Sequence, residues 1–133
     1  MFQHQVTIEL QHTDAYGILF FANQPILCHS CLQAFLLSVG LALPPTRAAA
    51  SELLVIVRVE SEYHAPVQLC DVLTIAYRCE KVGTTSVVNV FTLTNQHGIH
   101  VGSVRTVHVL IDPTTSGKIP LPARWREALL ANT

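Results

Sequence analysis

A chain of 133 residues is long enough for one domain with a real core and too short for two independent ones, so a single domain over 1–133 is expected. Half the residues are apolar and only 13% are charged, against about 25% in an ordinary soluble domain, which predicts apolar surface covered by a subunit partner. A net charge of −1 with eight scattered Lys and Arg argues against a nucleic-acid surface. No run approaches the ~18 apolar residues of a membrane span, and Met1-Phe2-Gln3-His4-Gln5 lacks the basic and apolar regions of a signal peptide. A cytoplasmic location is expected, and with it four reduced cysteines.

In chain order, Val6, Ile8 and Leu10 alternate with Thr7, Glu9 and Gln11, which predicts a half-buried strand ending near Gln11. His12 to Gly17 carries turn chemistry. From Asn23, a plausible cap, with Pro25 in the first turn, Cys28, Cys31, Leu32, Phe35, Leu36 and Val39 recur at spacings of three and four. This predicts a helix that stops at Gly40. It is almost free of charge and is therefore expected to be covered on most sides.

Leu41 to Ala50, with Pro44-Pro45, reads as an irregular connection. Four β-branched and aromatic segments follow at 53–63, 72–80, 86–94 and 100–111, spaced closely enough to pair antiparallel. Asp112 to Gly117 ends the last strand, and Pro122 opens a short helix that turns Trp125 and Leu129 inward. One long helix followed by antiparallel strands is an α+β pattern, in which the helix lies across the concave face of a curved sheet.

Asp14 on local chemistry alone is a turn carboxylate whose side chain bonds its own downstream backbone. It also stands just upstream of a helix start, where the free N–H groups of Leu19 to Phe21 suit developing negative charge. Cys28-His29-Ser30-Cys31 falls inside the helix with no βαβ context, which favours core packing over redox chemistry, and no further ligand spacing supports zinc. His29 is a rare polar residue on that helix, so it either meets solvent in a cleft or is hydrogen-bonded in the core. No dinucleotide, P-loop or serine-hydrolase motif is present in the sequence.

Thr13-Asp14-Ala15-Tyr16-Gly17-Ile18-Leu19-Phe20-Phe21 resembles the signature of the 4-hydroxybenzoyl-CoA thioesterase family. Tyr63-His64-Ala65-Pro66, then Cys70-Asp71-Val72-Leu73 with Cys70 where Gly is usual, and Lys81 to Ser86 resemble further segments of that family, so the likeness spans nearly the whole chain. It implies a hot-dog fold, a curved antiparallel sheet wrapped around one central helix, and hydrolysis of an acyl-CoA thioester. Cys28-His29 and the tail from Lys118 to Trp125 resemble the branch acting on 1,4-dihydroxy-2-naphthoyl-CoA in phylloquinone synthesis, which implies an aromatic acyl group.

Position by position, the resemblance implies that Asp14 attacks the thioester or activates water, that the backbone N–H of Phe21 is the oxyanion donor, and that Gly17 permits the turn between them. Tyr16, Phe20 and Phe21 would line the acyl tunnel. Lys81, Arg58 and Arg105 are candidates for the CoA phosphates. Phe21 and His29 replace the His and Glu of many relatives with short acyl substrates, so His29 is kept only as a substrate-binding candidate and the chemistry rests on Asp14.

No cofactor or metal is implied, coenzyme A being part of the substrate, and the expected assembly is a homodimer or homotetramer. The rival readings are a short-chain or general acyl-CoA or acyl-carrier thioesterase, a dehydratase using His29, and a non-catalytic acyl-CoA-binding subunit.

Overall fold

The computed structural model describes residues 1–41 and 43–133; Ala42, within the connection expected over 41–50, lies outside the described residues. The strands are β1 (Phe2–Thr7), β2 (Leu53–Tyr63), β3 (Val72–Val82), β4 (Ser86–Thr94) and β5 (His100–Ile111); the helices are α1 (Asn23–Ser38) and α2 (Ala123–Leu130). The strands form one antiparallel sheet in the order β1-β3-β4-β5-β2, with α1 packed across it. This is the α+β hot-dog arrangement.

Strand β1 begins and ends earlier than the alternation at Val6 suggested. Ile8 still points inward, and beyond β1 it remains paired to the backbone of Cys70 and Asp71. The chain then bends because the His12 Nδ1 accepts the Glu9 N–H at 2.9 Å, closing a 3-10 turn over Leu10–His12. Leu10 is left 74% exposed instead of entering the core. Strand β3 runs past Glu80 to Val82 through a bulge between Cys79 and Lys81.

Helix α1 starts at Asn23, but that side chain does not cap it. Its Nδ2 donates to the His12 carbonyl at 2.8 Å and ties the helix start to the preceding loop. The C-terminus is as expected: Gly40 takes φ +78°, its N–H donates to the Leu37 carbonyl, and the Leu41 N–H reaches the Leu36 carbonyl. Leu27, Cys28, Cys31, Leu32, Phe35 and Leu36 are buried against the sheet, where Phe35 meets Tyr77 with ring centroids 4.8 Å apart. The opposite face, Ile26, His29, Ser30, Gln33 and Leu37, is open in the single chain. The sheet reaches one side of the helix only, so the expected all-round cover is absent from this chain alone.

The N-terminal turn of α1 lies tight against β5. A Cβ on Gly102 would collide with the Gln24 side chain and come within 2.7 Å of the Glu62 carbonyl. The buried Gln24 amide donates to Ser61 Oγ and to the Glu62 carbonyl, both at 2.9 Å. Helix start and sheet edge are thereby locked together. Helix α2 buries Trp125 and Leu129 as expected, and the Trp125 Nε1 donates to Glu52 at 2.8 Å.

Candidate active site

The segment from Thr13 to Leu19 folds back on itself: the Asp14 N–H donates to the Ile18 carbonyl and the Phe20 N–H to the His12 carbonyl, both at 3.0 Å. Gly17 makes this reversal at φ +76°, a left-handed conformation that costs a residue with a Cβ about 1 kcal/mol. The Tyr16 N–H donates to Asp14 Oδ1 at 2.9 Å, so the turn role read from the sequence is real. That bond uses one carboxylate oxygen. The other has no hydrogen-bond partner among the described residues, and Asp14 is half-buried beside a cavity.

Of the three N–H groups expected to face an anion, two are already committed. Leu19 donates to the Val67 carbonyl at 2.7 Å and Phe20 to His12. The Phe21 N–H donates to no acceptor among the described residues. The Phe20 carbonyl of the same peptide accepts the Asn23 N–H at 2.9 Å, which polarises that peptide toward donation.

A cavity of about 600 Å³ opens here, lined by Asp14, Tyr16 and Ile18 to Phe21 on one side, Gln24 at the helix start, and Tyr63 to Val67 on the other. Its walls are largely apolar. The Tyr63 hydroxyl donates to the Phe21 carbonyl at 2.6 Å and holds the residue that carries the free N–H. The Tyr63 to Val67 wall follows directly from the end of β2, where the His64 and Ala65 N–H groups both donate to the Val101 carbonyl. Asp71 fixes the turn behind it by accepting the Gln68 N–H and the Gln96 Nε2, donors that hold its carboxyl below the usual carboxylate range.

Asp14, Tyr16, Phe20 and Phe21 are thus brought together, with Gly17 forming their turn. Tyr63, Gln24 and His64 also line the cavity, and local sequence reasoning gave them no role. The available signal for Gln24 was its place in the first turn of α1, three residues before the buried Leu27 and beside the signature loop.

The proposed phosphate cations are elsewhere in this chain and do not line the cavity. Arg58 pairs with Glu60 at 2.6 Å and Arg105 with Glu80 at 2.7 Å, and Arg105, Glu60 and Glu80 line one shallow depression with Arg78 and Glu62. The outward alternation of β2, β3 and β5 puts these charges on the sheet face away from α1. Lys81 is exposed at the β3 bulge.

His29 is also outside the cavity. It is exposed and stacks on His108, ring centroids 6.0 Å apart and planes 19° apart. Below it, His108 Nδ1 meets Asn89 Nδ2 at 3.2 Å, and Asn89 accepts the Tyr77 hydroxyl at 2.7 Å. Burial and the neighbouring His29 hold the His108 imidazole down, to about 4. The dehydratase reading, which needs His29 in the cleft, loses its residue. Cys28 and Cys31 are free thiols in the core, and burial raises both, that of Cys31 to about 12, which suits packing and not redox chemistry.

A carboxylate and a free helix-start N–H on one apolar cavity of a hot-dog fold define a thioesterase-type site. The chain belongs to the thioesterase superfamily, whose family model matches residues 16–101. A 1,4-dihydroxy-2-naphthoyl-CoA hydrolase of Synechococcus sp. strain CC9605 is 34% identical over 131 residues, covering 92% of this chain and 87% of that protein. The corresponding hydrolase of Synechococcus elongatus is 28% identical over 129 residues, with 96% and 94% covered. Among solved structures, a 1,4-dihydroxy-2-naphthoyl-CoA thioesterase from Synechocystis superposes with a TM-score of 0.90 at 22% identity, over 97% of this chain and 95% of that one.

Proposed function

We propose that this chain is an acyl-CoA thioesterase whose acyl group is aromatic, with 1,4-dihydroxy-2-naphthoyl-CoA, a precursor in phylloquinone synthesis, as the substrate. The observation that carries the reading is the convergence of Asp14 and the free Phe21 N–H on a largely apolar cavity of about 600 Å³. That volume suits a bicyclic ring, and the relatives named above carry this substrate in their names.

A thioester carbonyl is already electrophilic and CoA thiolate leaves readily, so one carboxylate and one oxyanion donor suffice. The Asp14 oxygen not bonded to Tyr16 either attacks the carbonyl carbon, forming a mixed anhydride and expelling the thiolate, or takes a proton from an attacking water. In both routes negative charge grows on the carbonyl oxygen, which the Phe21 N–H receives. Tyr16, Phe20 and Phe21 flank the ring.

The assembly we propose is a homodimer or homotetramer in the cytoplasm. It accounts for the open face of α1 and for Ile56, Val57 and Val59, which are exposed on the edge strand β2. No described helix is long and apolar enough to cross a membrane. The basic residues for the CoA phosphates then come from Lys81, Arg58 or Arg105 reaching the cavity mouth of a neighbouring copy.

A panel of acyl-CoA esters followed by thiol release tests the function. The expected order is 1,4-dihydroxy-2-naphthoyl-CoA above benzoyl-CoA above short aliphatic esters. Equal or better turnover of acetyl-CoA would place the chain among general thioesterases.

A further inference from the structure

We infer that His64 is a specificity residue that hydrogen-bonds a hydroxyl carried by the acyl ring, an inference that rests on the aromatic thioesterase reading above. The polar side chains of the cavity wall are Asp14, Tyr16, Gln24, Tyr63 and His64. Each of the others is accounted for. Asp14 has its catalytic assignment, the Gln24 amide donates to Ser61 and Glu62, and the Tyr63 hydroxyl donates to the Phe21 carbonyl. Tyr16 is 87% exposed at the rim, where its hydroxyl gains little by exchanging water for substrate.

His64 is less open than Tyr16, its side chain 41% exposed, so that a ring filling the cavity covers it. No ring nitrogen of His64 makes a hydrogen bond among the described residues, the nearest charge being Glu62, whose Oε2 is 3.7 Å from Nε2. The ring is nevertheless held in place. Its backbone N–H donates to the Val101 carbonyl at 2.9 Å, and its ring packs on that of His100 with centroids 4.8 Å apart. His100 is itself fixed by a 2.9 Å bond from Nε2 to the Gly102 carbonyl. A pre-positioned imidazole with spare hydrogen-bonding capacity, set in an apolar wall, discriminates a hydroxylated ring from a bare one, because binding the bare ring leaves the imidazole without a partner.

The test compares kcat/KM for 1-hydroxy-2-naphthoyl-CoA and 2-naphthoyl-CoA in the wild type, in His64→Phe and in His64→Gln, by thiol release. The wild type should prefer the hydroxylated ester about tenfold, the worth of one good hydrogen bond. His64→Phe should hydrolyse both esters with the same kcat/KM, the preference being lost, and His64→Gln should restore part of the preference. A wild type that treats the two esters equally overturns the inference without any variant, as does a preference that survives His64→Phe. Failure of the wild type to release thiol from either ester would instead overturn the aromatic thioesterase reading.

Discussion

Cys70 occupies the left-handed region at φ +70° in the turn before β3, a conformation that glycine adopts without strain. The strain of a Cβ there exceeds the entropy lost by adding a glycine. Cys70→Gly should therefore raise stability by about 1 kcal/mol, read as a higher urea midpoint with an unchanged slope. At Tyr63 the effect is on catalysis instead. Tyr63→Phe removes the 2.6 Å bond to the Phe21 carbonyl and loosens the residue that offers the oxyanion N–H. A fall in kcat of about tenfold with a smaller change in KM is expected from steady-state kinetics. A change confined to KM would show that Tyr63 only shapes the pocket.

At the scale of elements, the contact between α1 and β5 sets the position of the site. Gly102→Ala forces a methyl group into Gln24 and the Glu62 carbonyl, so the helix start must move away from the sheet. Overpacking of this kind costs about 1–3 kcal/mol, and activity should fall along with the thermal midpoint. The polar column under α1 gives a pH dependence. His108 is held at about 4 in the fold against an ordinary 6.5, so the unfolded chain takes up the proton first as pH falls. Stability is untouched above pH 6.5 and declines from there toward pH 4, by about 3 kcal/mol in all. Urea unfolding across that window should show the decline, and His108→Gln should flatten it.

For the whole molecule, the apolar excess in composition and the open face of α1 point the same way: sedimentation should give a mass at least twice the 14.6 kDa of the chain. The architecture was legible because its signals are local and repeated. Runs of β-branched and aromatic residues marked β2, β4 and β5, three-and-four spacing marked α1, and Gly40 marked its end. What escaped was decided between elements or by single hydrogen bonds. Leu10 looked like a core position until the His12 ring closed its turn, and Asn23 looked like a cap but bonds the loop behind it. In the site, Asp14 could be named from the signature around it. Which of Leu19, Phe20 and Phe21 keeps a free N–H depends on partners at Val67 and His12, which short-range pattern does not reveal. Arg58 and Arg105 were candidates by charge alone, and strand alternation carries them away from this chain's own cavity, so any phosphate they bind belongs to a neighbouring copy's site.

All of these arrangements serve one carboxylate. The most direct test of the account is therefore Asp14→Asn assayed for thiol release from 1,4-dihydroxy-2-naphthoyl-CoA, with circular dichroism and the thermal midpoint measured on the same sample. The substitution keeps the side-chain oxygen that accepts the Tyr16 N–H, so the fold should be unchanged while kcat falls by roughly a thousandfold or more. A correctly folded Asp14→Asn enzyme that retains activity within tenfold of the wild type would contradict the assignment of Asp14 as the reacting group.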